Sequence, residues 1–225
     1  MLKYFITAFL YFVSLSCFAL GMQPETTVLV INQESGEASI SVRNTNKVPT
    51  LLQVKIVDLE QGEDAIVLAA PAISKVDSDE EQVVRFFLQT RGELKSQVLK
   101  RINFIGLPAR SENDKEKSTM LVGVNQSIPL IINPVGLKKE DTPWKYLAYK
   151  FNESGVSLYN PSRYVVRFHP KIKINGEYVK LQQSYLAPNQ ELKVDYKKSP
   201  SEVKIRPVGL YGEIRNEYKI EKANN

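Results

Sequence analysis

The sequence has one cysteine and one histidine in 225 residues. Cys17 lies in an N-terminal stretch that we expect to be removed, which would leave no thiol, disulfide or cysteine-ligated metal in the mature chain. His169 has no cysteine nearby and no histidine or glutamate partner at the spacing of metal ligands. The sequence therefore predicts neither a disulfide-stapled fold nor a metal centre, and we interpret His169 as a structural or surface residue.

Catalytic motifs are missing as well. The chain has no Gly-rich phosphate loop, and no serine stands in a nucleophile elbow. Carboxylate pairs such as Asp79/Glu80 and Glu140/Asp141 lie in turns with lysines nearby, which is typical of solvated corners. The net charge is +5, but no block of lysine and arginine is dense enough to indicate a nucleic-acid partner. We expect a binding protein with no cofactor and no small-molecule substrate, and not an enzyme.

Long apolar runs are also rare, and the one that stands out is N-terminal. After Lys3, residues 4–18 are almost wholly apolar, and the small residues that a signal peptidase reads follow at Cys17 and Ala19. We predict a signal peptide over residues 1–19 and a soluble, exported protein, because the run is too short for a retained membrane span. A lipid anchor on Cys17 is the alternative, although Ser14 stands where lipoprotein signals usually have leucine.

Short alternating segments at roughly ten-residue spacing, separated by polar turns, make up the rest of the chain. Residues 37–43, for example, direct Ala38, Ile40 and Val42 to one face. Two such series meet near Pro134, so the sequence predicts an all-β fold of two immunoglobulin-like β-sandwich domains. We place the domains at residues 20–134 and 135–225. Strands of the second domain are predicted at residues 144–152, 155–159, 164–174, 178–181, 191–196 and 201–208, with a hairpin turn at Asn175-Gly176.

Residues 118–134, STMLVGVNQSIPLIINP, form the most informative segment. Met120, Val122 and Val124 share one face at the two-residue period of a strand, and the far end of the segment is apolar on both faces. Pro129 has no backbone donor, so it belongs on an edge strand or at a bulge. An apolar edge is an association hazard, yet strand addition is also a common way to bind extended peptides. The pattern alone leaves two interpretations open: an ordinary sandwich strand or a binding surface.

Seven local motifs recur in an order and spacing typical of one family. They are ISVRN at 40–44, VVRF at 83–86, RINFIGLP at 101–108, IPLIINP at 128–134, GVSLYNP at 155–161, YLAP at 185–188 and YG at 211–212. Together they cover nearly all of the mature chain, which resembles the PapD-like periplasmic pilus chaperones of the chaperone–usher pathway. The IPLII pattern is most similar to the divergent, archaic-type branch of that family.

The resemblance implies an L-shaped pair of sandwiches and a mechanism of strand donation. Family members hold pilus or fimbrial subunits that lack their last strand, and lend them the final strand of the first domain. Another subunit replaces that strand at the outer-membrane usher. Mapped onto this sequence, the donated side chains would be Met120, Val122, Val124 and Ile128. Self-association of the free protein through the same strand is an open alternative.

The resemblance also implies an anchor for the C-terminal carboxylate of the subunit. The usual arginine position falls on Val28 or Leu29 and the usual lysine position on Pro129, and none of these side chains can bind a carboxylate. The archaic-type branch has an arginine where Arg101 stands, so Arg101 is the expected anchor. Arg85 is a second candidate. The competing interpretation is that both arginines are structural or exposed, and for Arg85 we favour that interpretation.

Two further family positions differ in this chain. Gln97 and Leu210 stand where acidic residues usually form ion pairs between the domains. The resemblance therefore implies a pilus-assembly chaperone with an altered hinge. The alternative is a structural or adhesive surface protein that has kept the fold but handles no subunit.

Overall fold

The computed structural model describes residues 21–59, 64–108, 123–153 and 155–223. Over these ranges the chain folds into β-strands and one short 3₁₀ turn, which confirms the all-β prediction. The predicted signal peptide, Met120 and Val122 lie outside the described residues. Within the described ranges, no helix is long and apolar enough to cross a membrane.

The N-terminal half is a sandwich of two sheets. Its strands are β1 (Met22–Pro24), β2 (Leu29–Asn32), β3 (Glu37–Asn44), β4 (Thr50–Asp58), β5 (Ala65–Ala70), β6 (Ile73–Val76), β7 (Glu81–Thr90), β8 (Val98–Pro108) and β9 (Val124–Asn133). One sheet has the order β1-β3-β7-β5, and the other has the order β2-β9-β8-β4-β6. Alternating side chains from both sheets meet in a first core that includes the fully buried Phe86 and Phe104.

The C-terminal half has its own core. Its strands are β10 (Ala148–Asn152), β11 (Gly155–Tyr159), β12 (Val166–Phe168), β13 (Lys171–Ile174), β14 (Glu177–Lys180), β15 (Tyr185–Leu186), β16 (Glu191–Val194), β17 (Val203–Ile205), β18 (Pro207–Val208) and β19 (Tyr218–Lys222). A seven-stranded sheet, β14-β13-β17-β19-β10-β11-β16, packs against a three-stranded sheet, β15-β12-β18, around the second core.

Buried asparagines close equivalent turns in the two halves. The Asn44 side-chain amide donates to the carbonyls of Val48, Val76 and Asp77 at 3.0–3.2 Å. The Asn160 amide likewise donates to three carbonyls at 2.8–3.1 Å. Both side chains are fully buried, so each asparagine stabilises its turn by satisfying carbonyls that would otherwise lack a partner. Asn44 is the last residue of the ISVRN motif, and Asn160 lies within the GVSLYNP motif.

Three predicted strands of the second half differ in the structure. Residues 201–208 divide into β17 and β18, which belong to different sheets. Residues 144–152 do not form one strand, because a 3₁₀ turn at Pro143–Tyr146 first buries Trp144 in the second core. Residues 164–174 divide into β12 and β13, which belong to different sheets. The break falls at His169-Pro170, where proline cannot donate to a ladder. The Asn175-Gly176 hairpin is confirmed, with positive φ at both turn residues.

Candidate functional site

Strand β9 has one edge that is only partly paired. On one side it pairs antiparallel with β8 from Val124 to Ile132. On the other side, β2 runs parallel to it but covers only Leu130 to Asn133. Among the described residues, positions 124–129 therefore have no strand on this side. Pro129 fits here, because a free edge does not need its missing donor. The result is a six-residue stretch of sheet edge open to an added strand.

The side chains of β9 alternate across this edge. Residues 124, 126, 128 and 130 lie opposite Gly106, Phe104, Ile102 and Lys100 of β8, and they face into the sandwich. Val124, at the start of the strand, remains 36% exposed and lies close to Gly21. Ile128 is only 7% exposed and belongs to the first core. The Ile128 side chain therefore fills the core of its own domain, which argues against its predicted place in the donated set.

Arg101 lies at the inner end of the free edge. It pairs across the ladder with Pro129, on the outer face of the sheet. Its Nε donates to Ser127 Oγ at 2.9 Å and its Nη2 to the Ser127 carbonyl at 3.1 Å. The guanidinium is thus fixed beside residues 124–129 by neutral oxygens. Val28 and Leu29, the positions at which the resemblance predicts an arginine, are apolar and buried.

The two sandwiches meet next to this edge in a third apolar cluster. Val28, Leu99 and Ile131 come from the first half and Val165 from the second. Beside the cluster, the Gln97 side chain connects the halves: its Oε1 accepts from the Val165 backbone N–H at 2.7 Å, and its Nε2 donates to Asn133 Oδ1 at 2.8 Å. Neutral amide groups therefore link the two halves at this junction.

A cavity of about 820 Å³ opens between the halves. Ile131 and Asn133 line it from β9, and Arg167, Leu210 and Glu213 line it from the second half. Arg167 Nη2 donates to the carbonyls of Gly209, at 2.6 Å, and Leu210. Burial lowers the pKa of Arg167 below its ordinary value, while nearby Glu213 raises it and Arg101 lowers it.

Comparison with known proteins identifies the family. Residues 21–138 match the family model described as pili and flagellar-assembly chaperone, PapD N-terminal domain. A fimbrial chaperone of Escherichia coli strain K12, YhcA, is 33% identical over 209 residues, which is 91% of this chain and 92% of the relative. The chain belongs to the PapD-like family of pilus-assembly chaperones.

Solved structures of PapD-like chaperones share the fold over both halves. The CupB2 chaperone of Pseudomonas aeruginosa matches with a TM-score of 0.69 at 22% identity, covering 89% of this chain and all of that one. The SafB chaperone of Salmonella enterica, solved in complex with the SafA pilin, matches with a TM-score of 0.73 at 14% identity, covering 92% of this chain and 98% of that one.

The PapD-like family consists of chaperones that are not enzymes, and the chain has a chaperone role in fimbrial assembly. The alternative of a surface protein without chaperone activity is not favoured. His169 accepts a hydrogen bond at Nδ1 from the Lys171 backbone N–H at 3.1 Å, which fits a structural histidine. Within the ranges that the structure describes, no three His, Cys, Asp or Glu side chains are grouped to hold a metal ion.

The two candidate arginines of this PapD-like chaperone are not brought together. Arg85 lies on β7, in the sheet opposite β8, where it forms a 2.9 Å ion pair with Glu37 and lies over the Phe87 ring. Its place in the other sheet and its ion pair with Glu37 favour the structural interpretation of Arg85. Arg167, which lines the cavity between the halves, was missed by the sequence analysis. Its one signal was an arginine flanked by apolar residues, in VVRF at 165–168.

Proposed function

We propose that this chaperone binds pilus or fimbrial subunits by donating strand β9 together with the residues that precede it, about 118–134. The free edge at 124–129 carries the proposal, because it offers backbone donors and acceptors that an extended partner can pair with. Val124 is the last side chain of the alternating series that remains exposed. Met120 and Val122 continue its periodicity and complete the donated set that we propose.

The direction of the bound strand follows from charge and from β2. A partner beside residues 124–129 must end near Pro129, because β2 occupies the edge from Leu130 onward. Arg101 is fixed at that end. A guanidinium attracts a chain-terminal carboxylate and repels a terminal amine, so we propose that the C-terminus of the subunit ends there. The bound strand would then run parallel to β9, and Arg101 would anchor its carboxylate.

The remaining proposals concern delivery and location. Members of the family are periplasmic in general. We propose that residues 1–19 are the signal peptide that exports this chain, and that residues 20–134 and 135–225 form its two domains. The bound subunit would pass to an outer-membrane usher, where a second subunit replaces β9.

Co-purification tests strand donation. The chaperone is co-expressed with candidate subunits from the same source, as wild type and as Val122→Asp/Val124→Asp, because a carboxylate cannot enter an apolar groove without a large desolvation cost. We expect the wild type to yield an approximately one-to-one complex in periplasmic extracts and the double variant to fold but yield none.

Val83→Asp is the matched control. Val83 is 52% exposed on β7, in the other sheet, so the same new charge should leave subunit binding unchanged. Equal retention of subunit by the wild type and by Val122→Asp/Val124→Asp would contradict donation of this strand. Equal loss of bound subunit in Val122→Asp/Val124→Asp and in Val83→Asp would show that the effect is not specific to β9.

A further inference from the structure

The outer end of the first core is closed by the N-terminal segment and not by β8. Lys100, Ile102, Phe104 and Gly106 follow one another along the inner face of β8, so this face ends in a residue without a side chain. A Cβ atom added to Gly106 would lie only 3.1 Å from Met22 Cγ. A glycine inside a strand often marks such a close approach. Met22 is fully buried in the first core, so it fills the space that Gly106 leaves.

Gly21 and Met22, which we call the N-terminal prop, are held by the turn that Asn44 closes. Met22 lies opposite Asn44 in the pairing of β1 with β3. The Gly21 N–H donates to Thr45 Oγ1 at 2.9 Å, and the Gly21 carbonyl accepts from the Thr45 N–H at 2.9 Å and from Thr45 Oγ1 at 3.0 Å. The prop is therefore fixed to a buried turn of the sandwich.

The N-terminal prop lies directly against Val124. Gly106, which Met22 covers, is the ladder partner of Val124, and a Cβ atom added to Gly21 would lie 3.2 Å from Val124 Cγ1. Val124 and Ile128 face the same side of β9, yet Val124 is 36% exposed and Ile128 only 7%. The space beneath Val124 is already occupied by the prop, so its side chain cannot sink into the core as that of Ile128 does.

We propose that the N-terminal prop positions the donated strand. By filling the outer end of the core, Met22 keeps the Val124 side chain out of the chain's own sandwich and available to a subunit. This inference rests on the proposed strand donation. Met22 is thus a positioning residue that acts through Val124, and the N-terminal prop sets the point along β9 at which side chains stop filling the core and begin to face a partner.

Thiol labelling tests the positioning role without any subunit. The only cysteine of the sequence lies in the predicted signal peptide, so Val124→Cys gives the mature chaperone a single thiol, whose reaction with a maleimide reports its access to solvent. Adding Met22→Ala should let residue 124 sink into the emptied space and slow the labelling severalfold. Met22→Leu nearly conserves the volume and should leave the rate unchanged. Unchanged or faster labelling in folded Met22→Ala would overturn the proposal.

Ile40→Ala is the matched control for the loss of stability. Ile40 is 1% exposed in the same core, on β3, and its truncation should destabilise the sandwich by a similar amount. It should not change the labelling rate of Val124→Cys. Equal slowing by Ile40→Ala would show that labelling follows stability, and the proposal would fail. Met22→Val, a milder truncation, should change the rate in the same direction if Met22→Ala does not fold.

Peptide binding then connects the N-terminal prop to the subunit. A synthetic peptide of the C-terminal strand of a co-purified subunit is titrated into wild type, Met22→Ala, Met22→Leu and Ile40→Ala. We expect Met22→Ala to bind at least about tenfold more weakly, the loss that follows when one valine-sized side chain is no longer buried by the partner. Met22→Leu and Ile40→Ala should bind as the wild type does.

The outcomes distinguish this inference from the proposed function. Slower labelling in Met22→Ala with unchanged peptide affinity would overturn the positioning role and leave strand donation standing. Retention of subunits by Val122→Asp/Val124→Asp would contradict strand donation itself, whatever the labelling rates.

Discussion

The two halves of strand β9 have the same backbone and opposite environments. From Leu130 to Asn133 the strand has a neighbour on each side, and Leu130 and Ile132 are fully buried. From Val124 to Pro129 it has a neighbour among the described residues on one side only, and Val124 is partly exposed. The inner half of β9, residues 130–133, is committed to the chain's own fold. The outer half of β9, residues 124–129, is left open to a partner.

The difference between these halves is produced by where β2 begins. Val28 precedes β2 and is buried against the second sandwich, and from Leu29 onward the chain pairs with β9. A longer β2 would cover the edge and remove the binding surface. The inner half of β9 therefore anchors the outer half in the sheet and leaves the edge of the outer half unpaired. A stable domain can present an apolar edge in this way.

Amide hydrogen exchange should give the largest contrast. Alternate amides between residues 124 and 128 face the free edge, so we expect their exchange to be nearly unprotected. Amides of Ile131 and Ile132 that pair with a neighbouring strand should exchange only on opening of the sandwich. Bound subunit should protect the outer amides as well. Equal protection along β9 in the free chaperone would show that its edge is covered in solution.

Shortening a buried side chain in the inner half of β9 should have the next largest effect. Leu130 is fully buried in the first core, so Leu130→Ala should lower the free energy of unfolding by about 3 kcal/mol. Urea denaturation of the free chaperone measures this loss. Val124→Ala is the control in the outer half, and a similar loss there would mean that the outer half belongs to the core too.

Ile128 should mark the boundary between the halves with a smaller effect. Ile128→Val removes one buried methylene and should cost about 1 kcal/mol of unfolding free energy, with subunit yield unchanged. Val124→Ala should do the reverse: it should leave stability within about 0.5 kcal/mol and reduce subunit yield. Loss of subunit by folded Ile128→Val would restore Ile128 to the donated set.

The features that follow from local sequence were predictable. Residues 37–43 alternate and form β3, with Ile40 and Val42 buried, and Asn175-Gly176 makes a two-residue hairpin. The period of 118–134 correctly put Val124 and Ile128 on one face. It could not show where that face leaves the core, because this depends on Ile102 and Phe104, which precede β9 by some twenty residues and oppose it in the ladder.

Features that depend on the other sheet or the other domain were missed. Arg85 and Arg101 both stand among apolar residues in strands, and the sequence does not show that their side chains lie on opposite sides of the sandwich. Arg167 lines the cavity between the halves, next to the cluster in which Val165 packs with residues of the first half. Strand β19 was missed because its sequence is highly charged. It forms a strand by pairing with β10 on one side and with β17 on the other.

Gln97 gives the junction a property that an ion pair would not. Its amide has no proton to gain or lose at ordinary pH, and its hydrogen bonds to Val165 and Asn133 are only weakly affected by dissolved salt. A chaperone in a compartment exposed to the outside medium meets changes in both acidity and salinity. In this chain, the Gln97 contact between the two halves carries no charge that either change could alter.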